Sequence, residues 1–198
     1  MPHDTKSLLI KPDLPAGPSG DVLVVTPESI GFEYLTLRIH KLLRAEKYSN
    51  ETDACELGIV VLGGRCSVES SAGSWFDFGG RRDVFDGLPT ALYLPVHTEY
   101  TVLAETDCEL AFCFSRAEEK YPARLVTPDE IEVEIRGGAN ATRQINHILK
   151  PEFPAQRLLL VEVYTPSGNW SSYPPHKHDV HTPPEEVDLE ELYYYKID

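Results

Sequence analysis

The sequence predicts an all-β fold, on three observations. Apolar residues recur with period two, short β-rich runs are frequent, and turn residues separate them at close intervals. In EYLTLRIH, the apolar Leu35, Leu37 and Ile39 alternate with Thr36, Arg38 and His40. In DEIEVEIR, Ile131, Val133 and Ile135 are expected to face inward, and Glu130, Glu132, Glu134 and Arg136 outward. Successive strand residues project to opposite faces, so both patterns suit half-buried strands. VLVV at 22–25, LGIVVL at 57–62, TALYLPV at 90–96, ELAFCF at 109–114 and RLLLVEVYT at 157–165 add further runs. Punctuation at GG, DG, PSGN and PP then gives the rhythm of a sandwich or barrel. One segment stays open between strand and helix. Ile145, Ile148 and Leu149 in ATRQINHILK also fit a helical face of about three turns at most.

A chain of 198 residues, 41% hydrophobic and 25% charged, has room for one domain or two small ones around a real core. Its formal charge of −14 argues against nucleic acid, whose phosphates require clustered Lys and Arg. The same sign says little about small acidic ligands, because a local basic pocket overrides the global balance. No run of eighteen apolar residues exists, so no membrane partner is expected. The start, MPHDTKSLLIKPDLP, has neither a basic n-region nor an apolar h-region, and a cytoplasmic location is expected. The four cysteines, Cys55, Cys66, Cys108 and Cys113, show no C-x-x-C spacing and read as buried, reduced thiols. Alternation in ELAFCF turns Cys113 inward.

There is a faint internal duplication. ELGIVVLGG at 56–64 and ELYYY at 191–195 each open an apolar or aromatic strand with a glutamate. Two related β units follow from this, roughly 20–125 and 126 onward, the second lacking a counterpart of the 92–115 strands.

The stretch richest in chemistry is GNWSSYPPHKHD at 168–179, followed by LEELYYY. Residues i and i+2 of a strand share a face, so His176 and His178 are expected to aim both imidazoles at one point, about 6–7 Å apart along the strand. Neutral imidazole is a ligand for borderline divalent metals. Glu191, opening the aromatic strand, is the carboxylate chosen to complete a facial set of three, and Glu190 falls on the opposite face. Pro174 and Pro175 stiffen the approach. The competing reading is a solvated turn in an acidic loop. His97 and His147 read as satisfying local hydrogen bonds, and His181 as solvent-facing. Trp170, Tyr173, Tyr193 and Tyr195 read mainly as packing residues. Tyr193 and Tyr195 share the parity of Glu191, so both also suit a pocket wall.

With these residues in view, the chain resembles the 5-deoxy-glucuronate isomerase family of bacterial myo-inositol catabolism, which is similar to the 5-keto-4-deoxyuronate isomerases and belongs to the cupins. TPESIGFEYLTLRIHKL, GGRRDVFDGLPTALYLP, RGGANATRQINHIL and FPAQRLLLVEVYTPSGNWSSYPPHKHD look like family segments in family order. The resemblance implies a bicupin of two jelly-roll β-barrels. Residues 1–125 would form the N-terminal barrel without a metal motif. Residues 126–198 would begin the C-terminal barrel that carries it, incomplete in this chain. His176, His178 and Glu191 match three cupin ligands for a divalent ion, with Zn, Mn and Fe not distinguished. A fourth, histidine, ligand has no counterpart here.

The implied reaction converts 5-deoxy-D-glucuronate, an aldose acid, to the ketose 2-deoxy-5-keto-D-gluconate, with the metal as Lewis acid. Glu190 or a hydroxide on the metal would move the proton. Arg136 and Arg143 are the expected grips on the substrate carboxylate, since guanidinium binds it bidentately, ahead of Lys177, whose parity turns it away. Tyr193 would line the substrate pocket. The competing functions are a sugar-acid-binding cupin without catalysis and an Fe-dependent dioxygenase. A homo-oligomer is left open.

Overall fold

A computed structural model describes residues 9–11, 17–174 and 177–198. The architecture is all-β, and the sole α-helix among the described residues is the single turn Pro27–Ile30. That turn starts as its sequence requires. The Thr26 N–H donates to Ser29 Oγ at 3.1 Å, Pro27 stands in the first turn, and Gly31 closes it in the left-handed conformation.

Ten strands build two facing sheets. Strands β1 (Gly20–Val25), β2 (Leu35–Leu42), β4 (Cys55–Gly63), β7 (Thr90–Leu94), β9 (Cys108–Arg116) and β10 (Arg124–Val126) form a six-stranded sheet in the order β1-β2-β9-β4-β7-β10. Strands β3 (Lys47–Glu51), β5 (Arg65–Ser70), β6 (Gly73–Gly79) and β8 (Glu99–Ala104) form a four-stranded sheet in the order β3-β8-β5-β6. The later strands β11 (Glu132–Arg136), β12 (Arg143–Leu149) and β13 (Leu160–Tyr164) make a separate three-stranded sheet. All these pairings are antiparallel.

The six-stranded sheet is covered on both faces, which explains why its central strands read as continuous apolar runs. On one face, Leu57, Ile59 and Val61 of β4 join Leu92, Leu110, Phe112 and, from the opposing sheet, Val68 and Val102. On the other face, Val60, Leu62, Leu37, Ile39 and Tyr93 pack against Ile148, Leu149 and Leu158 from the chain beyond residue 126, its second half, residues up to 126 being the first. Gly58 lies under that contact: a Cβ there would stand 2.4 Å from Leu160 Cδ1. The small residue inside LGIVVL is what lets the second half approach the sheet so closely.

Several expectations are met and several corrected. ATRQINHILK is strand, not helix, since Arg143–Leu149 pairs with both β11 and β13. In β2 both rows are accommodated. Leu37 and Ile39 face the second half, while His40 lies tilted against Tyr48 and edge-on to Phe112 and meets Asp21 at 2.6 Å. Ile131 is buried, but Val133 and Ile135 are 45% and 65% exposed, against their expected inward aspect. Their strand is an edge that pairs only with β12, so alternation correctly divides its residues into two rows without saying which row is covered. Cys113 packs among the partly buried residues on the outer face of the six-stranded sheet, not between the sheets. All four thiols are free, as expected. Burial pushes the Cys108 thiol up to about 11 and Cys66 well above the ordinary thiol range. No helix among the described residues is long and apolar enough to cross a membrane.

Candidate functional site

Arg136 ends β11 and Arg143 opens β12, while the other candidate residues follow β13. The segment 189–198 shows how the last of them are presented. It is assigned no strand, unlike the strand expected from ELYYY, yet its side chains still alternate. Leu192 and Tyr194 pack on the apolar cluster shared by the six-stranded sheet and the second half, and Lys196 pairs with Glu109. Glu191, Tyr193 and Tyr195 occupy the other, exposed side. Tyr193 Oη donates to Glu191 Oε2 at 2.7 Å, and the Tyr193 and Tyr195 rings stack with centroids 6.1 Å apart. Burial and the adjoining Glu191 carboxylate push the Tyr193 phenol up to about 12, so it stays a donor through the neutral range. Tyr193 and Tyr195 are 53% and 62% exposed and stand outside both hydrophobic clusters of the described residues. Trp170 and Tyr173, expected to pack, are likewise more than half exposed.

Glu190 has the opposite parity to Glu191, as alternation requires, and its carboxylate is engaged. Oε1 accepts the Glu33 N–H at 2.5 Å, and Oε2 accepts those of Tyr34 and Leu35 at 2.9 and 3.1 Å. This side chain, expected along with a hydroxide on the metal as a candidate to move a proton, is anchored to the backbone of the first half.

His176 lies outside the described residues. His178 does not sit in a strand but in a turn, with φ of +73°, so the shared strand face expected for the pair has no counterpart at this residue. The loop is organised by a carboxylate the sequence reading passed over. Glu186 Oε1 accepts the N–H groups of His178 at 2.6 Å and Asp179 at 3.1 Å, and its Oε2 meets Lys177 Nζ at 3.0 Å. Lys177 thus turns toward Glu186. His178 Nδ1 lies 3.0 Å from the Val187 carbonyl. A carbonyl only accepts, so in the neutral ring the proton belongs on Nδ1 and Nε2 presents its lone pair. That is the tautomer a metal ligand needs, with its other nitrogen held by a backbone oxygen. Together with the Glu191 carboxylate, the donor chemistry at both described positions fits a divalent ion. No cluster of three His, Cys, Asp or Glu able to hold a metal occurs among the described residues.

The two expected arginines differ. Arg136 Nε and Nη2 grip Glu134 at 2.8 and 2.7 Å on an exposed strand. Arg143, opposite it in the register, is only 7% exposed and donates to the Ala141 and Tyr173 carbonyls. His147 bonds Glu134 at 3.0 Å, the local role expected of it. His181 is exposed. A cleft of 670 Å³ along β3, β5 and β8, and one of 320 Å³ beside Arg81 and Thr90, contain none of the predicted site residues.

The profile of the KduI/IolB family matches residues 8–198. The chain belongs to the KduI/IolB family. Within it, the chain is 44% identical over 192 residues to a 5-deoxy-glucuronate isomerase of Geobacillus kaustophilus, covering 96% of this chain and 70% of that protein. It is 45% identical to the Geobacillus thermodenitrificans protein of the same name, over 90% of this chain and 65% of that one. Among solved structures, an IolB-like protein from Salmonella typhimurium LT2 aligns with a TM-score of 0.82 at 36% identity, covering 85% of this chain and 65% of the other. A putative glyoxylate-induced protein from Pseudomonas aeruginosa shares the fold alone, at 12% identity and a TM-score of 0.55 over 71% of this chain and 53% of that one. The chain spans 65% to 70% of the length of its KduI/IolB relatives named here.

Proposed function

We propose that this chain acts as a 5-deoxy-glucuronate isomerase. The enzyme would interconvert an aldose acid, 5-deoxy-D-glucuronate, and its ketose isomer, 2-deoxy-5-keto-D-gluconate. The observation that carries the reading is the Glu191 carboxylate, held by Tyr193 on the exposed side of its segment, in a chain whose curated relatives bear that name. The units are read as two cupin barrels. Residues 1–125 would be a scaffold without a metal motif, and 126–198 would begin the second barrel.

His178, Glu191 and, by the sequence pattern, His176 would hold a divalent ion of the Zn, Mn or Fe type. When bound, such an ion supplies Lewis-acid polarisation of the substrate carbonyl. The chain's own residues do the rest. Val187 fixes the His178 tautomer, Glu186 closes the His178 loop, and Tyr193 orients Glu191. Arg143 is buried with donors on backbone carbonyls, so Arg136 is the arginine left for a substrate carboxylate, which it would bind in exchange for Glu134. Tyr193 and Tyr195, stacked on each other, would offer an aromatic wall beside Glu191.

The test is an assay of aldose–ketose interconversion before and after stripping with a chelator. Activity is expected to vanish on stripping and return with one divalent cation, and Glu191→Gln is expected to lose at least 10-fold in metal affinity. Turnover that survives complete metal removal would overturn the Lewis-acid reading. Oxygen uptake coupled to substrate loss would mark a dioxygenase, and tight sugar-acid binding without turnover a binding protein.

A further inference from the structure

Two carboxylates in this chain do the same thing in opposite directions. Glu56, the second residue of β4, is completely buried. Its oxygens accept the N–H groups of Gln156 at 2.9 Å, Arg157 at 2.7 Å and Leu158 at 2.6 Å, together with Tyr93 Oη at 2.9 Å. Glu190, in the second half, accepts three consecutive N–H groups of the first half, Glu33 to Leu35. Residues 33–35 lead into β2, and residues 156–158 lead toward β13. The residues at the centre of the two clamped triplets also meet: Arg157 Cζ lies 4.5 Å from the Tyr34 ring centroid. Both glutamates belong to rows that pack on one apolar cluster, through Val60 on one side and Leu192 and Tyr194 on the other.

We infer that Glu56 and Glu190 are crossed tethers joining the two halves, and that Glu190 is a positioning residue for Glu191. Three consecutive backbone N–H groups form a small anion-binding concavity, and charge-assisted bonds into it are short and directional. With Glu190 locked there, the start of the next residue is fixed on the first half while the Glu191 side chain points the other way. The first half, which offers no metal motif, then sets where a ligand of the second half stands. The same geometry aligns Glu56 with Glu190, not with Glu191 as the sequence repeat suggested. Glu191 corresponds to Leu57, which points between the two sheets of the first half.

The inference about Glu191 rests on its proposed role as a ligand, and the test separates the two. In Glu190→Gln, amide hydrogen exchange at residues 33–35 is expected to accelerate. Zn²⁺ titrated into chelator-stripped protein is expected to bind about 10-fold more weakly, and kcat is expected to fall with the pH–rate profile unmoved. Glu56→Gln is expected to accelerate exchange at 156–158 and leave the Zn²⁺ affinity as it was. Unchanged exchange at 33–35 in Glu190→Gln would overturn the tether. A lost limb of the pH profile with unaltered Zn²⁺ affinity would make Glu190 the proton carrier instead. Failure of the unmutated protein to bind Zn²⁺ or turn over substrate would sink the ligand role of Glu191, while the exchange data would still decide the tether. Should Glu190→Gln not fold, Glu190→Asp keeps the charge one methylene short and gives the same readouts at smaller amplitude.

Discussion

Glu56 shows how one side chain constrains a fold from inside it. It is a buried carboxyl group that accepts from four donors: three backbone N–H groups and a phenol. Burial pushes the Tyr93 phenol well above its ordinary value, with the Glu56 carboxylate adding to the effect, so Tyr93 remains a donor. Truncation leaves four donors without partners, those of Leu158 and Tyr93 in buried surroundings. Unmatched buried groups cost about 1–3 kcal/mol each, and such losses do not simply add. Glu56→Ala is expected to lower unfolding free energy by about 4 kcal/mol, read from urea denaturation. The sequence reading marked Glu56 as the start of a strand without seeing its partners. The available signal was a charged residue heading a run buried on both faces, which has to be matched somewhere.

The edge hairpin of β11 and β12 is the element where electrostatics acts on stability. The Arg136 guanidinium, with His147 second, holds the Glu134 carboxyl down to about 2, against an ordinary value of 4.5. A carboxyl depressed in the folded state contributes stability that is fully present above its unfolded pKa. That contribution is lost as pH falls through the folded value, so the window here runs from about 4.5 down to about 2. Glu134→Gln is therefore expected to be less stable than the parent at pH 5.5, with the difference closing as pH falls toward 2.5. Paired urea melts across that range check it. The effect should be small because the group is exposed and screened. The element itself was readable from alternation, but the destination of its faces was not. Val133 and Ile135 obey period two and still face outward, because an edge strand's covering depends on what lies opposite.

At the scale of the whole molecule, the two halves are joined by apolar packing on the six-stranded sheet, by the crossed tethers, and by a buried ion pair. Arg81 donates to both oxygens of Glu162 at 2.8 and 3.0 Å and to the Val61 carbonyl at 2.9 Å. The two side chains are 4% and 15% exposed. Removing one partner strands the other, at about 3–5 kcal/mol, whereas replacing both by apolar groups is often close to neutral. Arg81→Met is expected to destabilise by that amount, and adding Glu162→Met to recover most of it, in denaturation of the single and double variants. By itself the sequence determined the all-β class, most strand positions, the reduced thiols, and the opposite parity of Glu190 and Glu191. Each of these follows from the local geometry of an extended chain, in which side-chain direction has period two. Only the tertiary structure decided that Glu190 reaches back to residues 33–35, that His178 occupies a left-handed turn tied to Glu186, and that Gly58 admits Leu160. Those outcomes depend on groups brought together from distant parts of the chain, and no local period records which backbone amide a carboxylate will meet.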